Sequence, residues 1–212
     1  EDVVEFARVA ATIGVTTNVA ADQAATALGG LANLLGLTGK DFERFASALV
    51  DLGNKGASTE AEIVAITERI GGAGATIGLT TDQILGFASA VANLQIEPEA
   101  GGTSLQRFFI DTLKFINQGT DAADVFARVL GDTKKNIKEA FGKDPSAVLT
   151  RFIKGLSLLN ESERISVLTA LGWDDARIGR MFLGLAESEQ NVKNLTKSLD
   201  ISSKAWSANT AA

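Results

Sequence analysis

The sequence predicts an all-α protein, a compact multi-helix bundle of about nine to twelve short helices joined by brief loops. Three observations predict it. Apolar residues recur at the three-and-four spacing of one helix face through most of the chain. Helix-start signals are frequent and consistent, and no stretch sustains the alternation of β-branched residues that a strand requires.

In chain order, helical pattern begins almost at once, with Val3, Val4, Phe6, Ala7 and Ala10 close together. The start at Glu1, with no methionine and no basic-then-apolar leader, reads as a piece of something longer. The longest uncharged stretch, Gln23 to Gly39, carries Thr26, Asn33, Thr38 and several glycines. It falls short of the roughly 18 to 20 residues that cross a bilayer, so it reads as a buried helix, with membrane insertion as the competing reading. Thr59 with Glu62, Thr80 with Gln83 and Asn160 with Glu163 have the spacing of reciprocal caps, and Asp144-Pro145 sets a cap before a first-turn proline. Apolar stripes follow these starts: Ile63, Ile66, Ile70, Ala73 and Ile77; then Val148, Leu149, Phe152, Ile153, Leu156 and Leu159; then Ile178, Met181, Phe182 and Leu185.

Between two such stripes lies the phrase Leu94-Gln95-Ile96-Glu97-Pro98-Glu99-Ala100-Gly101-Gly102-Thr103. Ile84, Phe87, Ala88, Val91 and Leu94 precede it on one helix face; Leu105, Phe108, Phe109, Thr112, Leu113 and Ile116 follow it on another. Pro98 is expected to break the first helix, Gly101 and Gly102 to give the backbone freedom to turn, and Thr103 to cap the second helix.

Composition narrows the chemistry. A 45% hydrophobic content over 212 residues is ample for a core. Without cysteine there is no disulfide framework and no thiolate. Without histidine the commonest general base and zinc ligand are missing, which argues against a metal or triad enzyme and leaves no cofactor expected. A net charge of −6 argues against a nucleic-acid binder. Residues 1–118 hold 7 basic and 14 acidic side chains, whereas 119–212 hold 13 and 12, so two subdomains are expected to meet near Gly119.

The first part, 1–118, also reads as a duplication with units at about 11–52 and 75–116. Ala11-Thr12-Ile13-Gly14-Val15-Thr16-Thr17 recurs as Ala75-Thr76-Ile77-Gly78-Leu79-Thr80-Thr81, an offset of 64. Asp22-Gln23 with Leu31-Ala32-Asn33-Leu34 recurs as Asp82-Gln83 with Val91-Ala92-Asn93-Leu94, an offset of 60. Two copies of one helical unit most simply pack as a pseudo-symmetric bundle.

The phrase around Pro98, taken with Thr59-Glu60-Ala61-Glu62-Ile63-Val64 and Gly78-Leu79-Thr80, resembles the core region of phage tail tape-measure proteins. In that family a Gly-Leu-Ser/Thr helix start, an apolar helix, a Gly-Ile-x-x-Glu-Ala-Gly-Gly-Thr turn and a second apolar helix follow one another. The resemblance is strongest over Asp41 to Phe115 and departs at Gln95, where the family pattern usually has glycine. Asp144-Pro145-Ser146-Ala147 and the closing Ala205-Trp206-Ser207-Ala208-Asn209-Thr210 are similar to the downstream part of such cores. The resemblance implies a structural role. Such proteins lie in the lumen of the growing tail tube, set its length, and leave ahead of the DNA. It also implies the partners: the tail tube protein, tail assembly chaperones and tail-tip or baseplate proteins, in the virion tail and in the host cytoplasm during assembly. Self-association and membrane contact stay open.

Four features invite a chemical reading. Gly71-Gly72-Ala73-Gly74 lacks the Gly-Lys-Ser/Thr of a phosphate loop and follows no strand, so a loosened helix or hinge is expected. Glu97 and Glu99 flank a proline with no recognisable partner and read as a solvated loop. Glu187-Ser188 matches the acid-then-serine of the muralytic modules found in tape-measure proteins, but the segment that should follow is missing and the chain has no tyrosine, so an exposed helix end is expected. Trp173 reads as core. Trp206 reads equally as the edge of a core and as a contact anchor for a tail partner. No catalytic, cofactor or metal residue is assigned. The alternatives to a structural tail protein are a membrane-active helical domain assisting DNA entry and a muralytic domain.

Overall fold

The computed structural model describes residues 2–209; Glu1 and Thr210, both used in the sequence reading, lie outside the described residues. Among the described residues there are twelve α-helices and no strand. They are α1 (Asp2–Thr16), α2 (Ala21–Leu35), α3 (Lys40–Lys55), α4 (Glu60–Thr76), α5 (Thr81–Ala92), α6 (Pro98–Gln118), α7 (Asp121–Leu130), α8 (Lys134–Lys143), α9 (Pro145–Ser157), α10 (Glu161–Ala170), α11 (Ala176–Ala186) and α12 (Glu189–Ala208).

The caps fall where the sequence puts them, because a side-chain oxygen three residues ahead satisfies an amide that the first turn leaves free. Thr59 and Asn160 each close a reciprocal box with Glu62 and Glu163. Before α5, Gln83 Oε1 accepts from the Thr80 amide at 3.1 Å. Asp144 Oδ1 accepts from the Ala147 amide at 3.0 Å, with Pro145 in the first turn of α9.

Two helices organise the packing. α4 lies against α2, α3, α5 and α6, and α5 lies against α3, α4 and α12. The last helix therefore returns to the first half of the chain, where it packs against both α3 and α5. α6 ties this assembly to the second half through α7, α8 and α11. One hydrophobic core runs from Val9 to Ala205 and continues through the charge boundary at Gly119. The accessible surface of 9718 Å² is close to the roughly 9,300 Å² of a compact monomer of this mass.

The repeat is visible in the helices, with one shift. α1-α2-α3 and α4-α5-α6 follow the same order; α1 and α4 end at Thr16 and Thr76, and α2 and α5 begin at Ala21 and Thr81, a uniform offset of 60. The pairings are echoed as well: α1 packs on α2 and α3, and α4 on α5 and α6. The phrase with an offset of 64 is not structurally equivalent. Gly14 sits inside α1, whereas Gly78 occupies the turn after α4 with φ +87°, a conformation that glycine adopts without steric cost.

Candidate functional site

The sequence points to the corner where α5 passes into α6, and the structure builds that corner differently. α5 ends at Ala92, well before the proline, and Pro98 opens α6 as its first residue with Glu97 as the flanking cap position. Proline suits that place because its missing N–H has no acceptor there anyway. Gly101 and Gly102 are consequently not a turn. Both are buried in the first turns of α6, and the Gly101 amide donates to the Glu97 carbonyl at 2.9 Å in ordinary helical fashion. Thr103 is not a cap either; it is an exposed residue inside the helix.

The glycines are required by close approach. A Cβ on Gly101 would come within 2.7 Å of Val91 Cγ1 on α5, and one on Gly102 within 2.7 Å of Arg69 Cδ and 2.9 Å of Arg69 Cβ on α4. The α4–α5–α6 corner closes only because neither position carries a side chain. The left-handed residue is instead Gln95, at φ +54°, the position where glycine was the expected residue of the resembled pattern.

Asn93, at the end of α5, is the polar fastener of the same corner. Its Oδ1 accepts from the amides of Ala57 at 2.8 Å and Ser58 at 2.9 Å, which ties the α3–α4 loop to α5. The sequence marks Asn93 only as the counterpart of Asn33 in the repeat; its long-range role has no local signature.

A second constellation joins α6 to the segment before α11. Phe108 meets Phe182 edge-on with ring centres 4.9 Å apart, Trp173 stacks on Phe182 at 4.9 Å, and Phe126 stacks on Phe152 at 4.4 Å. Trp173 is fully buried, in agreement with its reading as core. Its indole N–H donates to Asp111 Oδ2 at 3.0 Å, and Lys114 donates to Asp111 Oδ1 at 3.0 Å. Burial pushes the Asp111 carboxyl up, but the Trp173 hydrogen bond and the neighbouring Lys114 and Arg107 cations outweigh it and hold the group below its ordinary value. Arg107 also clamps the Gly172 carbonyl and Asp175, which itself caps α11 through the amides of Arg177 and Ile178.

The remaining candidates fall apart spatially. Gly71 and Gly74 are buried within α4, where a Cβ would meet Leu34 of α2 at 2.8 Å and Ile84 of α5 at 2.7 Å; this is a crossing point in a continuous helix rather than a hinge or loop. Glu97 and Glu99 are exposed at the start of α6, so they belong to a helix start rather than to a loop. Glu187 is exposed at the end of α11. Trp206 is half-buried against the core, and the end of its helix is fastened by Asn209 Nδ2 donating to Glu43 Oε2 at 3.1 Å, with Glu43 also paired to Arg8. Among the described residues no group of three or more carboxylates could hold a metal ion. No described helix is long and apolar enough to cross a membrane. In α2, Ala24, Ala27, Leu28 and Leu31 face the bundle interior.

What these arrangements accomplish is mechanical: they fix helices at closer range than ordinary side chains permit, and they lock the two halves of the chain together. Searches of curated proteins and of solved structures gave no match. The family model described as phage-related minor tail protein matches residues 1–172, four fifths of the chain and every helix of the duplicated half. The chain therefore belongs to the family of phage-related minor tail proteins.

Proposed function

We propose that this chain is a folded segment of a tail tape-measure protein, the protein that sets tail length: a non-enzymatic structural component that scaffolds tail-tube assembly and departs during genome ejection. The observation that carries the reading is the family match over residues 1–172, laid on the phrase Leu94–Thr103 that resembles tape-measure cores. Its partners in this reading are the tail tube protein, tail assembly chaperones and tail-tip or baseplate proteins, met in the host cytoplasm and retained in the virion tail. The compact form supports a place at one end of the tape. A rod in the lumen would leave the wide apolar faces of α3, α7 and α11 without partners, whereas short capped helices gain most of their stability from tertiary packing.

The test is compositional. Mass spectrometry of purified phage particles should find peptides of this segment in intact tails and lose them from tails that have ejected their DNA. Peptides retained in emptied tails at the same ratio to tube protein would overturn the ejection step, and absence from intact tails would overturn the virion role.

A further inference from the structure

We infer that the groove between α10 and α11 is a docking surface for an amphipathic helix with a basic edge. The groove has a volume of about 710 Å³, with Leu183, Gly179 and Gly184 among its lining residues and Glu161, Asp174 and Glu187 along its sides.

Two features make it a surface that lacks a partner. The first is α10 itself. Of its ten residues only Leu168 is buried, and its main packing neighbour is α7. Ile165, one helical turn beyond Glu161 on the same face, is 48% exposed, and Leu183 on α11 is 39% exposed. A short helix that buries so little of itself draws scant stability from the bundle, and a second apolar helix laid alongside would supply the missing contact.

The second feature is the charge. Six ionisable groups face the groove: Glu161 and Arg164 from α10, Asp174 from the preceding loop, and Asp175, Arg180 and Glu187 from the cap, body and end of α11. Two are already engaged. Arg164 donates to the carbonyls of Ala186 at 2.8 Å and Leu159 at 3.1 Å, and so closes the ends of two helices. Asp175 is held by Arg107 and by the amides of Arg177 and Ile178. Among the described residues the carboxylates of Glu161, Asp174 and Glu187 make no ion pair or hydrogen bond, and the opposing cations in the groove are Arg180 and Arg164, the latter bonded only to neutral carbonyls, so four carboxylates face two guanidinium groups. This net acidic lining beside the exposed Leu183 selects a helix whose aliphatic stripe is flanked by Lys or Arg, because acidic edges would be repelled. This assignment does not depend on the tail reading.

The experiment uses the whole chain and two synthetic amphipathic helices that share a Leu/Ala stripe, one with Lys along its edges and one with Glu. Nuclear magnetic resonance titration should move amides of α10 and α11 with the Lys peptide and leave them in place with the Glu peptide. The triple variant Glu161→Gln, Asp174→Asn, Glu187→Gln should weaken the Lys peptide at least about tenfold, and Leu183→Ser should weaken it independently. A second triple variant, Glu68→Gln, Glu99→Gln, Glu139→Gln, removes the same charge elsewhere and should bind like the parent. The proposal is overturned if the Lys peptide does not bind, if both peptides bind alike, if the shifts map to another face, or if the two triple variants weaken binding equally.

Discussion

At residue scale the most consequential positions are those where a missing side chain lets helices meet. Gly101 is buried in a helix, where alanine would ordinarily be the better helix former by about 1 kcal/mol. The 2.7 Å approach of its absent Cβ to Val91 outweighs that preference, so Gly101→Ala should destabilise the protein by about 1–3 kcal/mol in urea unfolding. Gly30 is the contrast, since it lies within α2 with no atom within 4 Å of a built Cβ, and Gly30→Ala should gain about 0.5–1 kcal/mol. At Gln95 the backbone is left-handed, so Gln95→Gly should leave stability unchanged or raise it by up to about 1 kcal/mol. Equal midpoints for the parent and Gly101→Ala would show that the corner has room to relax and that the close-approach account is wrong.

At the scale of elements, the Asp111–Trp173 contact joins α6 to the segment leading into α11, and it carries a pH signature. A carboxylate held below its ordinary value contributes stability that is fully present above the unfolded value of about 3.9 and is lost as pH falls through the folded one. The parent should therefore exceed Asp111→Asn in stability at neutral pH, and the gap should narrow on acidification below about pH 4, as followed by Trp173 fluorescence during urea unfolding. A gap that stays constant or widens over that range would remove the carboxylate from the account. The elements themselves were legible in the sequence because caps and apolar spacing are local: Thr59, Asn160 and Asp144 fall at helix starts as read. The corner at Pro98 was misplaced because a glycine pair has two uses, freedom of φ and absence of bulk. Only the positions of Val91 and Arg69 on neighbouring helices decide between them. The same limit hid the roles of Asn93 and Asp111, whose cross-helix partners Ser58 and Trp173 are 35 and 62 residues away.

At the scale of the whole molecule, the question is whether this region acts as length or as a folded body. The uniform offset of 60 between α1–α2 and α4–α5 defines the deletion that answers it: joining Thr16 directly to Ile77 removes residues 17–76, one repeat unit, and puts the end of α1 where α4 ended, in register with the repeat. A continuous helix of those 60 residues would advance about 1.5 Å per residue, so a stretched ruler should shorten the tail by about 90 Å. A body whose α12 returns to pack on α3 and α5 has no such proportionality, because its ends do not separate as residues are added. Tails that form with the deleted chain should therefore keep their parental length, and the damage should appear as fewer assembled tails or failed ejection. Electron micrographs of mutant tails decide between the two: shortening in proportion to the residues removed would defeat the folded-body reading, and unchanged length would take this segment out of the ruler.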